Sequence, residues 1–129
     1  MISGIFGEEG ELIFEIELIA KNGEIIPVDA ILDTGFTTGY LAIPTQDIEA
    51  LGWDKIRSNI MLSTAQGMAY FDIYEGRIIM DEQEFTIPVH AGDNLPEILI
   101  GVLWLDVVRI VIDKLESFPK NSVSLPQRS

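Results

Sequence analysis

The apolar run Ala30-Ile31-Leu32 passes without a spacer into Asp33-Thr34-Gly35, and this junction constrains the fold more than any other stretch of the chain. An ionised carboxylate withdrawn from water costs several kcal/mol unless hydrogen bonds or a shared proton compensate it. A chain that ends an apolar strand on Asp33 must therefore bring donors, or a second acid, to that point. Asp-Thr-Gly is also an ordinary turn tripeptide, because Asp bonds its own backbone and Gly accepts positive φ. The tripeptide alone leaves both readings open, and its surroundings decide between them.

Upstream, Glu11 to Ala20 alternates, with Leu12, Phe14, Ile16, Leu18 and Ala20 on one face and Glu11, Glu15 and Glu17 on the other, as in a half-buried strand. Asn22-Gly23 then separates two apolar runs, a strong hairpin signal, and Ile25 to Leu32 forms the returning strand. Pro27 places the start of that strand at an edge or bulge. Tyr40 to Pro44 reads as a short strand, followed by a two-turn helix with Thr45 as N-cap and Gly52 as its stop. After a link over Trp53 to Arg57, strand-like segments run over Asn59–Thr64, Met68–Tyr74, Gly76–Met80 and Glu84–Val89, with Glu82-Gln83 turning the last pair. Ala65-Gln66-Gly67 makes Ile60 to Phe71 a projecting hairpin. A loop through Ala91 to Pro96 leads to a second apolar strand, Glu97 to Gly101, then a short buried helix over Val102 to Val107 and a strand over Val108 to Asp113. Many short strands with little helix predict an all-β sandwich or barrel.

Composition narrows the function. At 129 residues, 47% hydrophobic and 22% charged, the sequence predicts a single domain 1–129, with its core over about 11–114 and a polar tail over 117–129. There is no cysteine, which removes disulfides and thiolate chemistry, and a single histidine argues against a zinc site; no metal or cofactor is implied. A formal charge of −13 opposes binding to nucleic acid and to anionic lipid. No apolar run approaches the ~20 residues of a membrane span, and the N-terminus lacks the pattern of a secretory leader, so a soluble cytoplasmic protein is expected. His90 follows a strand with no nucleophile near it in sequence and reads as structural, Trp53 and Trp104 as core, and the acids around Asp81 to Glu84 as turn carboxylates rather than a calcium loop.

The order of these segments resembles the retroviral-type (retropepsin-like, clan AA) aspartic proteases, in a cellular or bacterial form. The likeness is carried by Ile31-Leu32-Asp33-Thr34-Gly35, by Tyr40-Leu41-Ala42-Ile43-Pro44 and the helix running into Leu51-Gly52, by the hairpin around Ala65-Gln66-Gly67, and by Ile98-Leu99-Ile100-Gly101. It implies an all-β, closed acid-protease barrel with a flap hairpin and one or two short helices. It also implies an aspartic endopeptidase cleaving peptide or protein substrates. In that chemistry two carboxylates activate water while sharing one proton, because like charges held so close cannot both ionise. The sequence holds one such tripeptide, so the resemblance implies a homodimer in which Asp33 of a second copy supplies the other acid.

On the same resemblance, Asp33, Thr34 and Gly35 are the catalytic loop, with Thr34 tying the two loops together and Gly35 leaving room for the substrate backbone. Phe36 and Thr37 begin the cleft wall, Thr64, Ala65, Gln66, Gly67 and Met68 form the flap over the substrate, and Gly101 supports the catalytic loop from beneath. The sequence departs from viral relatives in carrying Phe36-Thr37-Thr38 after the glycine, Val102-Leu103 in place of an early Arg, and one glycine in the flap. The alternative reading is a peptide-binding or scaffold domain that keeps the fold and cleaves nothing. A third reading is a self-processing fragment of a larger polyprotein, trimmed within Ser117 to Ser129.

Overall fold

The computed structural model describes residues 2–64, 67–107 and 110–112. Ala65 and Gln66, which the sequence assigned to the flap, and the polar tail 117–129 lie outside the described residues. In chain order the strands are β1 (Ile2–Phe6), β2 (Leu12–Ile19), β3 (Ile25–Leu32), β4 (Leu41–Pro44), β5 (Asp54–Thr64), β6 (Gly67–Met80), β7 (Gln83–Gly92), β8 (Leu99–Ile100) and β9 (Ile110–Ile112), with the helix α1 (Thr45–Leu51) between β4 and β5. The sheet order is β5-β6-β7-β4-β8-β3-β2-β1-β9, and an extra pairing of β6 with β2 closes the six strands from β6 to β2 into a barrel. Phe14, Ile16 and Leu18 enter the core from β2, as the alternation requires, and Trp53 is fixed by its indole N–H donating to the Ile19 carbonyl at 2.8 Å. Trp104 is fully buried, edge-on to both Tyr40 and Phe85.

The shortest strand makes the most consequential connection. β8 lies between β3, to which it runs parallel, and β4, to which it runs antiparallel, so it spans the two ends of the Asp33–Tyr40 loop. The Asp33 N–H donates to the Ile100 carbonyl at 2.9 Å, and the Gly101 N–H donates to the Tyr40 carbonyl at 2.9 Å. This crossing brings two backbones into contact: a Cβ at Gly101 would fall inside the van der Waals envelope of the Gly39 carbonyl oxygen. Only glycine allows that approach.

The projecting hairpin is the outward continuation of a barrel strand. β6 pairs with β2 over Arg77–Ile79 and with β7 over Asp72–Met80, but beyond Asp72 it pairs with β5 alone. The two-stranded remainder, Ile60–Thr64 with Gly67–Phe71, projects from the sheet. At its root β5 carries register shifts between Lys55 and Arg57 and between Arg57 and Ile60, with Asn59 at φ 58°. Asp72 fills this bulge, accepting the Asn59 N–H at 3.0 Å and pairing with the Lys55 ammonium at 3.1 Å. The Asn59 N–H, and then Lys55, hold the Asp72 carboxyl below the ordinary carboxylate range.

Several local expectations shift. β5 begins at Asp54 rather than after a link, because a hairpin arm solvated on both faces keeps no apolar alternation. The β6–β7 turn is Asp81-Glu82, both at positive φ, one residue before the expected Glu82-Gln83. Pro44 rather than Thr45 occupies the N-cap of α1, while Gly52 ends it in the left-handed conformation as expected. The short buried helix is a 3-10 turn over Val102–Asp106 in which Trp104 is buried and Leu105 exposed. β1 was not legible in the sequence, since Ser3 and Gly4 interrupt its apolar residues.

Two measurements test this framework. Gly101→Ala is expected to lower stability by roughly 3 kcal/mol, a fall of roughly 10 °C in Tm, through backbone displacement at the crossing; a shift of about a degree would refute the close-packed account. Asp72→Ala is expected to accelerate amide exchange severalfold over residues 55–60 while β2 and β3 keep their protection. The depressed Asp72 carboxyl stabilises the root above the unfolded-state value of about 4, and that contribution is lost as pH falls through its lower folded value, so the unmodified chain should loosen there only below about pH 4.

Candidate active site

Asp33 leaves the last residue of β3 at the open end of the barrel, partly buried, with Thr34 and Gly35 exposed beyond it. The strand that delivers it is less buried than its composition suggests: Ala30 is fully enclosed, whereas Ile31 and Leu32 are half-covered. The Gly35 N–H donates to Asp33 Oδ1 at 2.9 Å and the Phe36 N–H donates to the Asp33 carbonyl at 3.0 Å, so the tripeptide is a side-chain-closed turn. The turn and the acid site are one structure. The Phe36 carbonyl in turn accepts the Val102 N–H at 3.0 Å, which adds a third tie between this loop and the segment following β8. Thus the carboxylate's position is set by main-chain bonds at both ends of its loop and at its centre.

A cleft of about 640 Å³ opens over this loop. Asp33, Gly35 and Phe36 form its floor, Leu62, Met68 and Phe71 of the flap arms line it from one side, and the loop from Gly92 to Glu97 lines it from another. Of the residues named from the sequence, Asp33, Gly35, Phe36 and Met68 meet at this cleft. Thr34, Thr37 and Gly67 do not line it in the single chain, and Ala65 and Gln66 fall outside the described residues. For Thr64 the backbone pairs with Gly67 at the end of the hairpin. Gly101 packs behind the loop against Gly39 and Phe36.

The Asp93, Leu95 and Glu97 wall was missed by the sequence reading. Asp93-Asn94 and Pro96 mark a loop, but its placement beside Asp33 depends on β8 aligning with β3, a pairing across more than sixty residues of sequence that no local pattern encodes. His90 lies beneath the floor on β7, buried, with Phe36 edge-on at 5.2 Å and Phe71 at 5.9 Å between ring centroids. Burial pushes its imidazole below the usual range, and Nδ1 finds no hydrogen-bond partner among the described residues. The ring packs between two cleft-lining aromatics.

No family model and no curated protein matches the sequence. Among solved structures the chain is similar to a retropepsin-like aspartic protease from Rickettsia conorii, at 22% identity over 81% of this chain and 84% of that one, with a TM-score of 0.57. It is also similar to EIAV protease in complex with an inhibitor, at 14% identity over 75% of this chain and 91% of that one, with a TM-score of 0.54. At these identities the likeness is one of architecture. The closed six-stranded barrel, the strand threaded beneath the Asp33 loop and the single short helix give this chain the retropepsin-like aspartic protease fold.

Proposed function

We propose that the chain is one half of an aspartic endopeptidase, a single-domain subunit that hydrolyses peptide bonds as a homodimer with one Asp33 from each copy. The observation that carries this reading is the seating of Asp33: a carboxylate fixed by main-chain hydrogen bonds at the floor of a cleft, beneath a projecting hairpin, in a fold shared with aspartic proteases. One carboxyl alone cannot act as base and acid in the same step. Two held together retain one proton between them, which supplies both functions.

In the proposed reaction the ionised Asp33 removes a proton from a water molecule, whose oxygen bonds to the scissile carbonyl carbon. The protonated Asp33 of the other copy gives its proton to the carbonyl oxygen, forming a tetrahedral diol. The first carboxyl then passes its proton to the amide nitrogen, the second takes one back from the diol, and the carbon–nitrogen bond breaks to release an acid and an amine. The exposed Gly35 leaves the substrate backbone access to the dyad, and Thr34 reaches across the two-fold axis to hold the loops together. Closure of the flap excludes water other than the attacking molecule.

Purified chain is expected to cleave a mixed peptide library at acidic pH in a pepstatin-sensitive manner. Asp33→Asn should fold with an unchanged Tm yet lose at least about 100-fold in kcat/KM, the scale of a lost acid–base pair. Cleavage surviving intact in that variant would refute the assignment, and peptide capture without cleavage by the unmodified chain would favour the binding-domain alternative.

A further inference from the structure

The cleft over Asp33 is lined on its apolar walls by Leu62, Phe71 and Leu99, and its charged side chains are Asp33, Asp93 and Glu97, with no Lys or Arg among the lining residues. Asp93 and Glu97 are exposed, and among the described residues the ion pairs join Lys21 to Asp54, Lys55 to Asp72 and Arg77 to Glu84, none of which reaches this wall. Glu97 also borders a second groove of about 660 Å³ that carries Glu11, Glu15 and Asp29 and again no basic side chain. The acid surface is therefore continuous from the candidate dyad outward, and Glu97 stands at the junction of the two grooves.

The strand register gives Glu97 a distance from Asp33. Leu99 is level with Ile31 in the parallel β3–β8 pair, so extending that register sets Glu97 level with Asp29, four residues before Asp33. At about 3.3 Å per residue this is roughly 13 Å along the strand, a span of about four residues for an extended peptide. We infer that Asp93 and Glu97 are specificity-determining residues that select peptides carrying Lys or Arg within about four residues of the scissile bond, beside apolar residues that fill the cleft. This inference rests on the peptidase reading above. A basic side chain there pairs with two carboxylates that have no ion-pair partner among the described residues, while an acidic one meets like charge on the wall and around it. The site thereby rejects acidic peptides as well as attracting basic ones.

The experiment uses three peptides with the same apolar centre and Lys, Gln or Glu at the fourth residue from the bond, assayed at about pH 5.5, within the acidic range of the proposed activity and above the ordinary carboxylate value of about 4, at low ionic strength and at saturating subunit concentration. The expected order of kcat/KM is Lys above Gln above Glu, of order tenfold between the extremes as two partly exposed ion pairs allow, carried mainly in KM and compressed by added salt. In Asp93→Asn/Glu97→Gln the order should collapse, and in Glu97→Lys it should invert, with Tm unchanged in both because the positions are exposed. Equal cleavage of the Lys and Glu peptides that still requires Asp33, or a preference that persists in the double variant, overturns this inference and leaves the peptidase reading standing. Absence of Asp33-dependent cleavage of all three overturns the peptidase reading instead. The charge order is then read as binding of the same labelled peptides by fluorescence anisotropy, where indifference to charge overturns the inference.

Discussion

The structure depends on β8 threading between β3 and β4. Two residues of strand make the parallel contact to Ile31 and Leu32, the antiparallel contact to Leu41 and Ala42, and the main-chain bonds that hold both ends of the Asp33 loop. A loop of this length in solution would sample many conformations, and ordering each residue costs about 1–2 kcal/mol. Here the neighbouring strands, already fixed by the closed barrel, impose the order. The close approach of Gly39 and Gly101 follows from that geometry, since a side chain at Gly101 would push the loop off the strand that carries it, while one at Gly39 would meet the Phe36 and His90 rings.

The same barrel sets what moves. Because β6 is shared, its inner half is held by β2 and β7 while its outer half, beside the cleft, has β5 alone. The Asp72 clasp sits at the transition between the two regimes. It spaces the bulged arm of β5 from β6 where the third strand ends, and so fixes the direction in which the hairpin leaves the barrel. Local stability falls with the number of partners a strand has, and the flap arms lie at the low end of that scale.

How much of this the sequence discloses follows from the range of the interactions. β2, β3, β4 and the end of α1 were legible because alternation, Asn22-Gly23 and Gly52 are local signals. Asp33, Gly35, Phe36 and Met68 were legible as a group only through the resemblance, which carried long-range order that periodicity lacks. What remained hidden is either solvated on both faces, as at Asp54 to Asn59, or positioned by distant pairing, as with Asp93 and Glu97. Pro27 illustrates the middle ground: its strand is central in the sheet, but β8 is so short that β3 has a partner on only one side at that residue, and the expected edge exists locally.

Charge places opposing demands on the proposed enzyme. The chain carries −13, and in the proposed homodimer bringing two such bodies together so that their Asp33 loops meet opposes a field of like sign. On the proposed specificity the acidic cleft wall would draw basic peptides toward the same loops. Salt screens both interactions over about 10 Å at 0.1 M, so it strengthens subunit association while weakening substrate capture. Association depends on subunit concentration and capture on peptide concentration, which separates the two effects by mass action. On the proposed reading such a half-site would be coupled to its surroundings at both steps: the partner must be abundant enough to overcome repulsion, and a bound peptide, by bridging both copies with cationic side chains, would offset the repulsion that it meets.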